Sequence, residues 1–565
     1  MAQDEIRALL DDALKGLGVE AVEIHLERPR DPSHGDLATN VAMTLASALG
    51  RSPRSIAEEL AQRIPTEGSA VESVEVAGPG FLNFRVSSRA VTEILDRILA
   101  DDESFGSSQE GGGEPVVVEF VSANPTGLLH LGHGRQAAIG DVISSLLEWC
   151  GWSVQREFYY NDAGRQIERL AESLYARYLQ GCGRSAEVAE EGYHGDMVIR
   201  LASELIEMDG ERWLDVPRPE ALARMARFAV DRLRREQDRD LTRFGVRFDH
   251  YFLESSLYEE GLVDATVERL RETGLVYEKE GAVWLRTSTY GDQKDRVMIK
   301  SDGSATYFLP DVAYHVTKWE RGFRTAINIQ GADHHGTMAR VRAGLRALGL
   351  PKGYPEYILH QMVTVEREGR EVKFSKRAGE YLTLRDLMEE VGVDVTRYFF
   401  LMRKAEAHLV FDLDQALDQS DKNPVYKAKY AHARMCSIFR KAGLELEAVE
   451  VGSARLELLA DPAEREVIQQ LGEFPEVVAR AAALRAPHVV CEYVEQTAGQ
   501  INSWYHAGNP TRNPELAVLV EDADLRGARL ALARSARIVL RNALQLLGLD
   551  APERMEKRSD LELEE

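Results

Sequence analysis

The run Val116-Val-Val-Glu119-Phe-Val121, followed at once by Asn124-Pro-Thr-Gly-Leu-Leu-His130-Leu-Gly132-His133, leaves few folds open to this chain. A short β-branched run ends in a loop marked by proline and glycine, and helical spacing then begins and lasts from 134 to 150. A strand that feeds a helix in this way is the opening half of a parallel β-α-β unit. The pattern recurs. Strand-like runs at 154–160, 324–330 and 357–365 alternate with helical stretches. The chain therefore reads as an α/β fold with a parallel sheet covered by helices, and ligands are expected outside the carboxyl ends of its strands.

A chain of 565 residues exceeds one compact core, so two to four domains are expected. Residues 1–105 read as a small α/β unit, with helices at 5–17 and at 36–49, the second capped by Asp36. Two strands within 71–86 turn at Gly78-Pro79-Gly80, and the polar, glycine-rich stretch 103–113 reads as a linker. The sheet domain spans 106–415, with an Arg- and Glu-rich helical insertion at about 170–290. Residues 416–565 read as helical throughout, with Gly548 and Pro552 stopping the last helix and an acidic tail at 558–565 that frays.

Hydrophobic content of 44% and charged content of 29% are those of a soluble globular protein. No apolar run is long enough to span a bilayer, and the acidic start lacks a signal-peptide pattern, so a cytoplasmic protein is expected. Cys150, Cys182, Cys436 and Cys491 form no C-x-x-C pair, which fits a reducing compartment and argues against structural zinc. A net charge of −24 disfavours nonspecific nucleic-acid binding. It leaves room for a local basic face on 422–441, where Lys422, Lys427, Lys429 and Arg434 recur; a solvated helix surface would show the same composition.

His130 and His133 stand three residues apart at a helix start, so their side chains share a side. Unpaired N–H groups and the helix dipole favour an anion there, and imidazoles can donate to phosphate oxygens that gain charge in a transition state. Gly132 leaves the backbone open to a flat base. Alone, this is equally a surface turn. Downstream, Lys373-Phe-Ser-Lys376-Arg377 follows a hairpin tip at 366–371, where two lysines on a loop could neutralise a leaving pyrophosphate. Alone, that is a basic turn. Together the two runs point to adenylation of a carboxylate. Glu119 lies inside an apolar strand and needs a partner. Asp311, after Pro310, suits either a helix cap or a guanidinium ligand. Asp333-His334-His335 has adjacent histidines and no evident third ligand, so no metal site is expected.

The histidine run resembles the "HIGH" motif of class I aminoacyl-tRNA synthetases, with Leu131 for Ile, and the lysine run resembles their "KMSKS" loop, with Phe374 and Arg377 as departures. Over nearly its whole length the chain resembles the arginyl-tRNA synthetases of the bacterial type. Further runs that carry this resemblance are His34-Gly-Asp-Leu-Ala-Thr-Asn40, Tyr159-Tyr-Asn-Asp-Ala-Gly164, Gly331-Ala-Asp-His-His-Gly336, Asn423-Pro-Val-Tyr-Lys-Ala-Lys-Tyr-Ala-His-Ala-Arg434 and Leu546-Leu-Gly-Leu-Asp-Ala-Pro-Glu-Arg-Met555.

The resemblance implies a Rossmann-type catalytic domain, an N-terminal domain that meets the tRNA elbow and an all-α anticodon-binding domain. It implies that arginine carboxylate attacks Mg-ATP and that the arginyl group then passes to the 2′-hydroxyl of the terminal adenosine of tRNA(Arg). It assigns catalysis to His130, His133, Lys373 and Lys376. It assigns ATP contacts to His130, Gly132, His133, Asp333, His360, Met362 and Lys376. Arginine would meet Glu119, Asn124, His130, Tyr307, Asp311 and Gln330. The tRNA would meet Lys422, Lys427, Lys429, Tyr430 and Arg434. Magnesium would arrive with ATP, with no site of its own, and the chain would act as a monomer away from membranes. Three other readings compete. A cysteinyl-type enzyme would want zinc, a noncatalytic RNA-binding paralogue would not need both ATP motifs, and a small-molecule adenylyltransferase would not need the long helical C-terminus.

Overall fold

A computed structural model describes residues 2–555 apart from 21, 30, 32, 33, 163, 373–381, 447–453 and 510. The central sheet has five parallel strands in the spatial order Glu356–His360, Thr325–Gly331, Pro115–Glu119, Ser153–Tyr160, His250–Leu253. Pro115–Glu119 comes first in sequence and lies in the middle. The chain builds outward from it on one side, then returns to build on the other. The reversal puts the switch point, and the ligand crevice, at the carboxyl ends of Pro115–Glu119 and Thr325–Gly331.

One register row of this sheet is polar. Tyr357, Asn328, Glu119, Glu157 and His250 are successive cross-strand partners. Helix Phe308–Glu320 answers them. Lys318 Nζ reaches Glu119 at 2.5 Å and Asn328 at 3.0 Å, Tyr314 donates to Glu157 at 2.7 Å, and Arg321 pairs with Glu157 at 2.6 Å. Burial pushes the Glu157 carboxyl up, yet the bonds from His250 and Arg321 and the charge of Lys318 hold it well below the carboxylate range. Each buried polar group of the row therefore has a partner, as burial in a low dielectric demands.

The N-terminal unit is a three-stranded antiparallel sheet, Leu37–Thr39, Phe81–Val86 and Val71–Ala77, packed with helices. The helix expected at 36–49 is shorter. Residues 37–39 pair as a strand, helix Val41–Leu49 starts after them, and Asp36 accepts the Val86 N–H at 2.7 Å instead of capping. Sheet pairing with Phe81–Val86 overrides the helical spacing.

The stretch expected as a linker is tied down. Asn542 Nδ2 donates to the carbonyls of Asp102 and Phe105 at 2.8 and 3.1 Å, Phe105 is buried, and the N–H groups of Ser108, Gly111 and Gly113 bond the end of the central helix at Trp149–Gly151.

The expected helical insertion is half right. Arg165–Gly181, Asp196–Asp209 and Arg218–Arg243 are helices. His250–Leu253 then enters the main sheet, and Val276–Lys279, Ala282–Leu285 and Arg296–Ile299 form a small antiparallel sheet. The single strand expected at 357–365 breaks in two. Glu356–His360 stays in the main sheet, while Val363–Arg367 pairs in parallel with Leu409–Asp412. Helices Pro424–Ala442, Pro462–Gly472, Phe474–Leu484, Pro487–Ala507 and Ala523–Leu546 make the C-terminal unit. Gly548, in left-handed conformation, ends the last of them, and residues 558–565 lie outside the described residues. Among the described residues no helix is long and apolar enough to cross a membrane.

Candidate active site

His130 is the N-cap of helix Leu131–Trp149. Its Nδ1 accepts the His133 N–H at 3.3 Å, and His133 Nδ1 accepts the His130 N–H at 3.4 Å. The reciprocal bonds stack the two rings, with centroids 3.6 Å apart and planes 19° from parallel. Gly132 is required by this stack, because a Cβ there would lie 2.9 Å from the His130 ring. Burial lowers the His133 imidazole to about 3, with help from His130 and His360, and lowers His360 to about 4. Burial also lowers His130, against the pull of Asp333. The cluster is thus neutral at physiological pH and can donate without repelling or gripping a cation.

Arg135, two residues past the motif and fully buried, fixes the neighbouring wall. It donates to the carbonyls of Gln361 at 2.8 Å, Ala407 at 2.9 Å and Lys404 at 2.9 Å. That holds the end of strand Glu356–His360 beside the histidines and leaves Met362, 76% exposed, at the rim. Asp333 is exposed in the turn after Thr325–Gly331, and Gly331 pairs with His360 across the sheet.

Lys373 and Lys376 lie outside the described residues, but both flanks of their segment are placed. Val372 bonds Val365, and downstream the Leu384 N–H reaches the Leu129 carbonyl at 2.8 Å while Thr383 bridges to His130. The chain that follows the lysine run is therefore described again from beside the histidine run.

At the other side of the crevice, the backbone turns sharply after the central strand. Val121 and Ser122 have φ of 67° and 41°, a region that costs a β-branched residue about 1–3 kcal/mol. The turn aims the Ser122 hydroxyl at Glu119, 3.1 Å away. Glu119 is buried and also takes Lys318 and Asn328. The next loop is held from outside. Gln237, buried on helix Arg218–Arg243, donates to the carbonyls of Asn124 at 3.0 Å and Gly127 at 2.9 Å, while Asn124 Nδ2 donates to Gln166 at 2.7 Å.

Asp311 is not a cap. Tyr307 takes the cap position of helix Phe308–Glu320 and is 76% exposed, and Asp311 lies in the first turn. Burial pushes the Asp311 carboxyl up to about 7, with Glu254 and Glu119 adding to the rise. Glu254 follows strand His250–Leu253, accepts the Tyr159 hydroxyl at 2.9 Å, and is raised by burial and by Asp162. Three carboxylates thus converge here, and among the described residues only Glu119 has a cation in contact. Gln330 sits half-buried at the adjoining strand end. Among the described residues no group of three or more His, Cys, Asp or Glu side chains is arranged to hold a metal ion.

The sequence reading missed Glu254, Arg135 and Gln237. Glu254 was hidden because its strand was read as part of a helical insertion. Arg135 carried a readable signal, an arginine inside an otherwise apolar helix.

On the C-terminal unit, Lys422 is exposed and Asn423 caps helix Pro424–Ala442. Tyr426 and Tyr430 stack at 5.8 Å, and the Arg434 guanidinium lies 4.6 Å from both the Tyr430 and Tyr505 rings. Lys427 and Tyr430 are partly exposed on the same helix. Lys429 is less exposed than Lys422, and its ammonium is paired with Asp394.

Three family models match successive parts of the chain. They are the arginyl tRNA synthetase N terminal domain over residues 4–86, the class I (R) tRNA synthetase catalytic domain over 94–418, and the DALR anticodon binding domain over 428–555. The arginine–tRNA ligase of Geotalea uraniireducens is 52% identical over 94% of this chain and 95% of its own length. That of Thiobacillus denitrificans is 48% identical over 98% and 99%. The solved arginyl-tRNA synthetase of Thermus thermophilus superposes with a TM-score of 0.77 at 27% identity, covering 98% of this chain and all of that one. With the catalytic crevice, the neutral histidine pair and all three matched domains in one continuous chain, this protein belongs to the arginyl-tRNA synthetase family.

Proposed function

We propose that the protein joins arginine to tRNA(Arg) in two steps at this crevice. Arginine carboxylate attacks the α-phosphate of ATP and pyrophosphate leaves. The 2′-hydroxyl of the terminal adenosine then attacks the arginyl carbonyl and AMP leaves. The observation that carries this reading is the meeting, at one set of strand ends, of an acidic cluster with a neutral histidine cluster on a helix N-terminus. A guanidinium needs paired carboxylates, and a triphosphate needs donors and no negative charge.

Asp311 and Glu254 bracket the guanidinium, and Tyr307 covers it. Glu119 is already balanced by Lys318, so it suits the α-ammonium through its Ser122-facing oxygen. Asn124, Gln330 and His130 orient the carboxylate toward the phosphate. His130 and His133 donate to phosphate oxygens as charge builds there. Gly132, Asp333, His360 and Met362 line the nucleotide side. Lys373 and Lys376 supply positive charge to the leaving pyrophosphate. Mg2+ carried by ATP would screen the charge of its phosphates. Lys422, Lys427, Lys429, Tyr430 and Arg434 offer a basic, aromatic face to tRNA, with Lys429 paired to Asp394 before tRNA arrives. Action as a monomer is part of the same proposal, and the reducing-type cysteine usage supports a cytoplasmic setting.

The test is arginine-dependent exchange of pyrophosphate into ATP, run with each amino acid and with or without tRNA(Arg). Exchange with arginine and tRNA is expected. Its absence, or exchange with another amino acid, would sink the reading.

A further inference from the structure

Strands Ser153–Tyr160 and His250–Leu253 end together. Tyr159 pairs with Phe252 and Tyr160 with Leu253 in parallel register. Two residues past each end, Asp162 and Ser255 therefore come side by side. One Asp162 oxygen accepts the Ser255 N–H at 3.0 Å, and the other accepts the Ser255 hydroxyl at 2.8 Å. Tyr159 grips the residue before, donating to Glu254 at 2.9 Å. Helix Glu254–Glu259 is thus held at its start by two residues of one neighbouring strand end. Leu257, from the same helix, is buried in one apolar cluster with Phe308, Leu309 and Val312. The place of this helix beside helix Phe308–Glu320 is therefore fixed from two directions.

Tyr258 follows Glu254 by four residues, one turn along the same face. It is 47% exposed. Burial raises its hydroxyl, and Glu254, Asp311 and Tyr307 add to the rise. A tyrosine half open to solvent that still feels both raised carboxylates stands at the edge of the acidic cluster, together with Tyr307. Where Glu254 and Asp311 bracket a guanidinium, that edge lies beyond the last methylene of the substrate side chain. A phenol ring has only two rotatable bonds, so it makes a stiff stop there.

We propose that Tyr258 is a specificity-determining wall that gauges the length of the guanidino side chain, and that Asp162 is its positioning residue, acting through Ser255. The inference rests on the function proposed above and adds to it which guanidino acids are refused.

The experiment measures pyrophosphate exchange, with tRNA(Arg) present, for arginine and for homoarginine, which is one methylene longer. One methylene in a fitted site is worth about 10- to 200-fold in kcat/KM, so wild type should favour arginine by about 100-fold. Tyr258→Ala should cut that preference to about tenfold or less while KM for ATP holds. Tyr258→Phe keeps the ring and should keep the preference. Asp162→Ala should raise KM for arginine about tenfold and lower the preference in the same way. Ser255→Ala, which removes the hydroxyl bond alone, should lower the preference about threefold and serves if Asp162→Ala does not fold. A merely structural role would lower both substrates alike. An unchanged preference in Tyr258→Ala therefore overturns the wall, as does a wild type that accepts both amino acids equally. A preference that falls in Tyr258→Ala and holds in Asp162→Ala and Ser255→Ala overturns the positioning role of Asp162. Absence of exchange with arginine in wild type overturns the function reading and the wall with it.

Discussion

At one end of the crevice burial drives three imidazoles neutral; at the other it crowds three carboxylates around one lysine. His130, His133 and His360 lose charge because nothing nearby outweighs desolvation. Glu119, Glu254 and Asp311 cannot all shed theirs so simply. Glu119 is matched by Lys318, while Asp311 and Glu254 are pushed up toward protonation. The difference follows the ligands. A triphosphate brings its own negative charge and needs donors that do not collapse onto one another. Arginine brings a guanidinium and an α-ammonium, and needs a site whose carboxylates outnumber its cations.

The largest effect should come from breaking the one cation–carboxylate contact. Lys318→Met leaves Glu119 buried beside Asn328 with no counter-charge. Removing one member of a buried pair costs about 3–5 kcal/mol. Denaturant unfolding should show that loss, and Glu119→Gln combined with Lys318→Met should recover most of it. Equal stability of single and double variants would show that Lys318 balances the whole acidic cluster and not Glu119 alone. Next in size is the neutral end. His133→Ala removes a donor placed for developing charge, worth about 10²–10³ in turnover. Single-turnover adenylate formation should fall by that factor with KM for arginine unchanged. A matched rise in KM would give His133 a structural role through its bond to His130.

How much of this contrast could be read in the sequence depended on where its parts lie along the chain. The neutral end was legible because His130, Gly132 and His133 are contiguous and follow an unmistakable strand. The acidic end was legible in part: Glu119 stood out as an acid inside an apolar strand, and resemblance favoured the ligand reading of Asp311 over the cap. Glu254 escaped because a four-residue strand among arginine-rich helices has too little period-2 pattern to stand out. The partner of Glu119 escaped for another reason. Lys318 looks like an ordinary helix-surface lysine, and only the polar register row beneath helix Phe308–Glu320 takes it inside. The Asp36 cap failed because pairing with Phe84 at Leu37 depends on a strand more than forty residues away.

A smaller effect should separate the two raised carboxylates from the balanced one. Asp311→Asn keeps shape and removes charge. A hydrogen bond to a charged group is worth about 1.5–3 kcal/mol, so kcat/KM for arginine should fall roughly 10- to 150-fold while KM for ATP holds. Glu254→Gln should behave alike. Glu119→Gln should behave differently, because it leaves Lys318 as an unmatched cation near the α-ammonium. If all three variants lose the same factor, the division of the acidic cluster between guanidinium and α-ammonium is wrong.

The smallest effect is one of pH, and it carries a sign. In the free enzyme Asp311 sits at about 7, so at pH 6 it is largely protonated. A bound guanidinium favours the ionised form, so below about 7 arginine can bind tightly only by expelling that proton. Apparent affinity should therefore rise with pH up to about 7, by at most about tenfold per unit, and then level off. Calorimetry in buffers of different ionisation enthalpy should show about one proton released per arginine at pH 6 and almost none at pH 8.5. His133 and His360 predict no break of their own in this range, because they lie at about 3 and 4 and stay neutral throughout. Asp311→Asn should abolish the proton release, whereas His133→Ala should leave it intact. Release that survives Asp311→Asn would move the titrating group to Glu254, the other carboxylate raised by burial.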